Sequence, residues 1–177
     1  HAKVAQSALD LGIKLINDIS AGSDPEMFST VAKYNAKIIL MHSSCPTPHQ
    51  FIDKKYSNLI EQICEFLLSK AQAAINAGIK KENIILDPGI GFGKSIADNL
   101  KIIQNLLKLK TLGFPLLLGI SRKSFMGKLS NQGTANLLPA TIGLNTMAIA
   151  SHVDLIRVHD VQEHRILLDV IQKYLER

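Results

Sequence analysis

An α/β barrel of the (β/α)8 type, with only part of its circuit present, is the fold this sequence predicts, on three observations. Five short runs are apolar on consecutive residues, the pattern of parallel strands buried on both faces. Longer stretches with helical spacing separate them, and strict βα alternation implies a parallel sheet with helical crossovers. Polar side chains gather where the apolar runs end, which in parallel α/β folds is the ligand edge.

The elements follow in order. A first helix ends at Gly12, and the first strand covers Lys14 to Ile19. Ser23-Asp24-Pro25-Glu26 then reads as a capping box with an early Pro, opening the next helix. Lys37 to Met41 is the second strand. Ile60, Ile63, Cys64, Leu67, Ala71, Ala74 and Ile75 form the apolar stripe of a helix closed by Gly78. Asn83 to Asp87 is the third strand, and Gly113 closes the helical segment after it. Pro115 to Ile120 and Val153 to Val158 are the fourth and fifth, and the stripe Leu167, Val170, Ile171 and Tyr174 marks the last helix. Five units cannot close an eight-stranded barrel. Three more units of ~30 residues each would bring the length to about 267, near the ~250 typical of this architecture. Residues 1–177 therefore read as one domain truncated at its N-terminus, and a first residue His1 rather than Met suits a chain that starts inside a longer polypeptide.

With 46% hydrophobic residues and only 11 Gly and 6 Pro in 177, disorder, collagen and low-complexity classes are excluded. No apolar run approaches the ~20 residues of a membrane span, and no signal-peptide pattern opens the chain. Cys45 and Cys64 make no disulfide framework, which suits a reducing, cytoplasmic setting. The net charge of +5 is mild and unclustered, suggesting an anionic small molecule at least as readily as nucleic acid, and no nucleic-acid or membrane partner is expected.

The run-end clusters are Asn17-Asp18, Met41-His42, Asp87-Pro88-Gly89, Ser121-Arg122-Lys123-Ser124 and Arg157-Val158-His159-Asp160. Asp87 opens the loop Pro88-Gly89-Ile90-Gly91-Phe92-Gly93-Lys94-Ser95. It fails both nucleotide motifs: Pro88 stands where a phosphate loop needs Gly, and Lys94 where the dinucleotide fingerprint does. Either Asp87 and the glycines only shape a turn, or they let backbone approach a ligand with Phe92 as an aromatic wall. Ser121-Arg122-Lys123-Ser124 is a solvated basic turn or an anion site. Arg157 and His159 are two residues apart and share a side of their strand. An Arg within Leu155-Ile156-Arg157-Val158 needs an anion, either a structural one such as Asp18 or Asp160, or a ligand phosphate suited to its bidentate fork. His42, Cys45 and His49 have a superficial metal spacing, but Pro46 and Pro48 stiffen the loop and no fourth ligand matches.

Taken in order, Ile16-Asn17-Asp18-Ile19, Leu40-Met41-His42, Leu86-Asp87-Pro88-Gly89-Ile90-Gly91-Phe92-Gly93-Lys94, Gly119-Ile120-Ser121-Arg122-Lys123-Ser124-Phe125 and Arg157-Val158-His159-Asp160-Val161 closely resemble dihydropteroate synthase, the folate-pathway enzyme that sulfonamides inhibit. The resemblance implies a TIM barrel joining 6-hydroxymethyl-7,8-dihydropterin pyrophosphate to p-aminobenzoate, with release of pyrophosphate and formation of 7,8-dihydropteroate. It implies pterin contacts from Asn17, Met41, Asp87, Lys123 and Arg157, and pyrophosphate contacts from Arg157 and His159. Gly91, Phe92, Lys123 and Ser124 would hold p-aminobenzoate, and Asp87, Lys123 and Arg157 would be the catalytic residues. The family's Mg²⁺ ligand belongs to the first three units, so the resemblance implies no metal ligand in this chain. It also implies a homodimer and allows fusion to an upstream pterin kinase. Ser43-Ser44-Cys45-Pro46 departs from the family's loop after the Met-His pair. A non-catalytic half-barrel and a pterin-binding methyltransferase domain are the alternatives. The Ser121–Phe125 turn and the Arg157/His159 pair favour the pyrophosphate substrate over the methyltransferase.

Overall fold

The structure, a computed structural model, describes residues 1–45, 56–131, 133 and 135–176. Its elements are α1 (Ala2–Asp10), β1 (Leu15–Asp18), α2 (Met27–Lys33), β2 (Lys37–Met41), α3 (Leu59–Asn76), β3 (Ile84–Asp87), α4 (Ile96–Gln104), α5 (Leu106–Lys110), β4 (Leu117–Leu118), α6 (Ser124–Ser130), α7 (Leu138–Ala150), β5 (Leu155–Ile156) and α8 (Val161–Leu175). The helical segments after β3 and after β4 are each split in two, where simple alternation predicts one helix apiece. Among the described residues, no helix is long and apolar enough to cross a membrane.

All strand pairs are parallel and each strand neighbours the next in sequence: β1 with β2, β2 with β3, and β4 with β5, while a Leu86–Leu116 bridge joins the two ladders. A doubly wound sheet reverses its strand order at a switch point. This arc never reverses, so it is the singly wound course of a barrel wall, open in this chain.

The pleat divides the apolar side chains into two clusters. Ile38, Leu40, Ile84, Leu86, Leu116 and Leu118 face outward into the main core, against Ile63, Leu67, Ala71 and Ala74 of α3. Ile39, Ile85 and Leu117, with Leu155 packed against them, form the second cluster on the inward face. The stripe read along α3 is the side that packs: Leu67 is fully buried, and its truncation to Ala would cost about 2–5 kcal/mol. The stops at Gly12 and Gly78 are also as read. Both adopt positive φ (+93° and +98°), and the next residue's N–H reaches back in Schellman fashion, Ile13 to the Ala8 carbonyl and Ile79 to that of Ala74, each 3.1 Å.

Two local expectations fail. Ser23 caps nothing; the Asp24 carboxylate instead accepts from the N–H groups of Glu26 (3.1 Å) and Ala2 (2.8 Å), tying α1 to this turn. The capping box is at Ser95 and Asp98, opening α4. On α8 only half of the stripe packs: Leu167 and Ile171 are half-buried on the side of fully buried His164, while Val170 and Tyr174 are 63% and 76% exposed.

Candidate functional site

The inward rows of β1, β3 and β5 end in the polar side chains Asn17, Asp87 and Arg157, and that of β2 ends in Met41. Asn17 stands in register with Ile39, and Met41 with Asp87, so these share the inward face; Arg157 follows Leu155 by two. Asp87 is buried and its Oδ1 accepts from the Gly89 N–H at 2.7 Å, starting the glycine loop with an Asx turn. Gly89 has φ +70°, and a Cβ there would lie 1.9 Å from the His42 carbonyl oxygen. Only glycine permits this crossing of the loop over the end of β2.

Lys94 holds the loop from beneath. Its ammonium donates to the carbonyls of Gly89 (2.8 Å), His42 (3.2 Å) and Phe92 (3.2 Å), using all three of its protons in a setting only 4% exposed. Asn99 accepts from the Gly91 N–H at 2.8 Å, and the Ser44 hydroxyl donates to the Gly93 carbonyl at 3.1 Å and also pairs with Tyr56. The departure from the family's usual residues at positions 43–45 is therefore a second tether: an added Cβ on Gly93 would meet Cys45 Sγ at 2.8 Å. The fastened loop presents Gly91 and half-buried Phe92.

Lys123 arrives from the next crossover. Arg122 takes a left-handed conformation (φ +54°) and forms an ion pair with Asp160. Lys123 folds its stem over Gly91, its Cδ 3.3 Å from where a Cβ would be, and its Nζ stands 4.4 Å from the Phe92 ring centroid. Arg157 lies across Gly119, with Nη2 3.3 Å from a Cβ built there. Contrary to the buried setting its apolar neighbours suggest, Arg157 is exposed, since β5 is only half-buried. Among the described residues, neither Asp18 nor Asp160 hydrogen-bonds its guanidinium: Asp18 accepts from Ser20 and the Gly22 N–H, and Asp160 is taken by Arg122.

These charges tune one another. Burial pushes the Asp87 carboxyl up to about 6, opposed by the Gly89 N–H and the cations Lys94, Arg157 and Lys123. Burial brings the Lys94 ammonium down to about 7, opposed by Asp87. Burial and then Arg157 also lower Lys123.

Two cavities meet at Lys123. One, of about 270 Å³, is lined by Gly119, Ser121, Arg122, Lys123, Arg157, Val158 and His159. The other, of about 490 Å³, includes Gly91, Lys94, Lys123, Ser124 and Lys128. Asn17 is exposed and lines a separate groove of about 640 Å³ along the free edge of β1. Phe92 lines neither of these two cavities and meets their shared residue Lys123 through its ring face. Among the described residues no three His, Cys, Asp or Glu side chains gather. His49, Pro46 and Pro48 of the zinc-like spacing lie outside the described residues; the His42 ring stands edge-on to Phe66 at 5.0 Å.

The sequence names Lys94, Ser121 and Ser44 only as members of their loops and does not single out Asn99, so the tethering roles of all four are missed. Lys94 carried a usable signal: a cation in a loop buried enough to need three glycines must find acceptors there. The other three are ordinary polar residues whose role depends on long-range contacts.

A wall of sequential parallel strands with cations and a buried carboxylate on its C-terminal rim defines a ligand-binding α/β-barrel. The family model for "Pterin binding enzyme" matches residues 1–159, and the chain belongs to that family. It is 42% identical over 165 residues to dihydropteroate synthase of Clostridium beijerinckii, covering 92% of this chain and 59% of that protein. The crystal structure of the Thermus thermophilus dihydropteroate synthase in complex with 6HMPPP superposes with a TM-score of 0.92 at 33% identity, covering 98% of this chain and 69% of that one. The Xanthomonas albilineans dihydropteroate synthase with 4-aminobenzoic acid gives 0.92 at 31% identity, covering 99% and 62%. The chain thus spans less than two-thirds of the curated relative's length.

Proposed function

We propose that the whole protein is a dihydropteroate synthase, joining 6-hydroxymethyl-7,8-dihydropterin pyrophosphate to p-aminobenzoate. The observation that carries this is Lys123, which borders both cavities and faces Asp87 on a rim otherwise edged by Arg157 and His159. The ligands in the Thermus and Xanthomonas relatives' structures support it.

In this reading Asp87, Asn17 and Lys123 hold the pterin, with Met41 beneath it. A carboxylate under the ring accepts its N–H groups and stabilises the positive charge that develops as the C–O bond breaks. The smaller cavity takes the pyrophosphate, where Arg157 and His159 stabilise the charge gathering on the departing oxygens. The larger cavity takes p-aminobenzoate, its ring beside Phe92 and its carboxylate beside Ser124. The amine is neutral at pH 7, so its lone pair forms the C–N bond without a strong base, and its proton leaves to water. No three described His, Cys, Asp or Glu side chains gather on this rim, so the Mg²⁺ implied by the resemblance has no ligand assigned among them. Sulfonamides would compete at the arene pocket.

The methyltransferase alternative leaves the Arg157/His159 cavity without an occupant, and the inert half-barrel leaves a buried, perturbed carboxylate without a use. The test is pyrophosphate release by the protein as encoded, including any residues preceding His1, given both substrates. No release with either substrate omitted, and release with both, is expected; a correctly folded protein that releases none with both overturns the proposal.

A further inference from the structure

Ser121 follows β4 on the rim and is 4% exposed. Its hydroxyl oxygen lies 3.1 Å from the His159 backbone nitrogen and 2.9 Å from His159 Nδ1. The backbone N–H can only donate, so Oγ accepts there, and the hydroxyl keeps one proton to give. Among the described residues, Nδ1 is the acceptor within reach of that proton. If Nδ1 were itself protonated, the serine would receive two hydrogen bonds and its own proton would have no protein acceptor among the described residues, only the cavity that Ser121 also lines, which costs about 1 kcal/mol. The arrangement therefore selects the imidazole tautomer with bare Nδ1 and protonated Nε2. Nε2 is the nitrogen left to face the 270 Å³ cavity that His159 lines with Arg157 and Lys123.

We propose that Ser121 is a positioning residue that fixes the His159 tautomer so that Nε2–H donates to an anion in this cavity. The assignment of that anion as pyrophosphate rests on the function proposed above. Ser121 touches no ligand in this role; it acts through the ring. It also ties the strand end carrying Arg157 and His159 to the turn carrying Lys123, so the three donors keep one spacing. Nothing in local sequence distinguishes this serine from Ser124 three residues on, because its partner is 38 positions away.

Two measurements on the protein as encoded separate the parts. In ¹⁵N-histidine spectra above pH 7, the wild type should show His159 with Nδ1 unprotonated and Nε2 protonated, S121A should show a tautomer mixture, and S121T should restore the wild-type pattern. In titrations with inorganic pyrophosphate, S121A should bind about twofold more weakly than wild type, since about half of an evenly mixed ring population presents Nε2–H. S121T should recover most of that. A wild-type ring protonated at Nδ1, or an S121A ring pattern identical to wild type, overturns the role of Ser121. A wild type with the expected ring that binds no pyrophosphate overturns the reading of the cavity instead. The wild-type spectrum decides the tautomer even if S121A folds poorly.

Discussion

Acidifying the solution from pH 7 to 5 should release a pterin from this rim. Asp87 has its carboxyl raised to about 6 because it is buried, and only its ionised form offers acceptors to every pterin N–H. A group titrating near 6 is about nine-tenths ionised at pH 7 and about one-tenth at pH 5, so affinity should fall about tenfold, or ~1.4 kcal/mol. An ordinary carboxylate near 3.8 would remain more than about nine-tenths ionised and change affinity by under ~10%. The assay is isothermal titration with a pterin lacking the pyrophosphate, so that neither phosphate ionisation nor His159 enters. Asp87→Asn should bind weakly at both pH values without the slope. A flat wild-type profile, or the same slope in Asp87→Asn, would refute the reasoning. The same group has a stability signature in the free protein. Its folded value exceeds its unfolded one, so its contribution is fully present below about 3.8 and is lost as pH rises through about 6. Lys94 runs the other way: its contribution is present above 10.5 and is lost as pH falls through about 7.

Other outcomes follow from the same geometry. Gly89→Ala forces a Cβ to within 1.9 Å of a backbone oxygen and should destabilise by more than about 3 kcal/mol in urea unfolding, whereas Gly12→Ala, with positive φ but no atom within 4 Å, should cost about 1 kcal/mol. Lys123→Ala and Arg157→Ala in the protein as encoded should each lower turnover at least ~100-fold with little change in unfolding midpoint, and wild-type-like steady-state rates would remove that residue from the mechanism. Lys94→Met strips the donor from three carbonyls and should cost about 3 kcal/mol or more while raising the KM for p-aminobenzoate, since Phe92 loses its anchor; equal stability and KM would contradict the tether.

The strands are legible because each carries consecutive apolar residues, and β2 and β3, covered on both faces, need them, while β1 and β5 at the ends of the arc are only partly covered. Their lengths are less so. Pro115 to Ile120 reads as six extended residues, but only Leu117 and Leu118 form the ladder, Leu116 bridges singly, and Gly119 turns out toward the rim. A capping box reads naturally at Ser23, where Asp24 is in fact drawn off by the N–H of Ala2; the real one at Ser95 is hidden because Asp replaces the Glu that marks such boxes. On the rim, the residues whose chemistry is intrinsic, Asp87, Lys123, Arg157 and His159, can be picked out from their positions at run ends. Lys94 and Asn99 cannot, and Ser121 stands in a run-end cluster without any sign of its partner, because each acts by satisfying a group brought near only by folding. Arg157 illustrates the reverse error: its apolar neighbours imply burial, yet the half-covered β5 leaves its side chain in water.

Gly119 supplies no charge and no donor, and its backbone needs no unusual angle, yet its missing side chain is the seat on which the Arg157 guanidinium lies flat. Even a methyl group would lift that plane by a few tenths of an ångström and tip the fork away from whatever lies beside Lys123. A variant at 119 would therefore keep every ionisable group and still lose its grip, a defect that an inventory of functional side chains would never reveal.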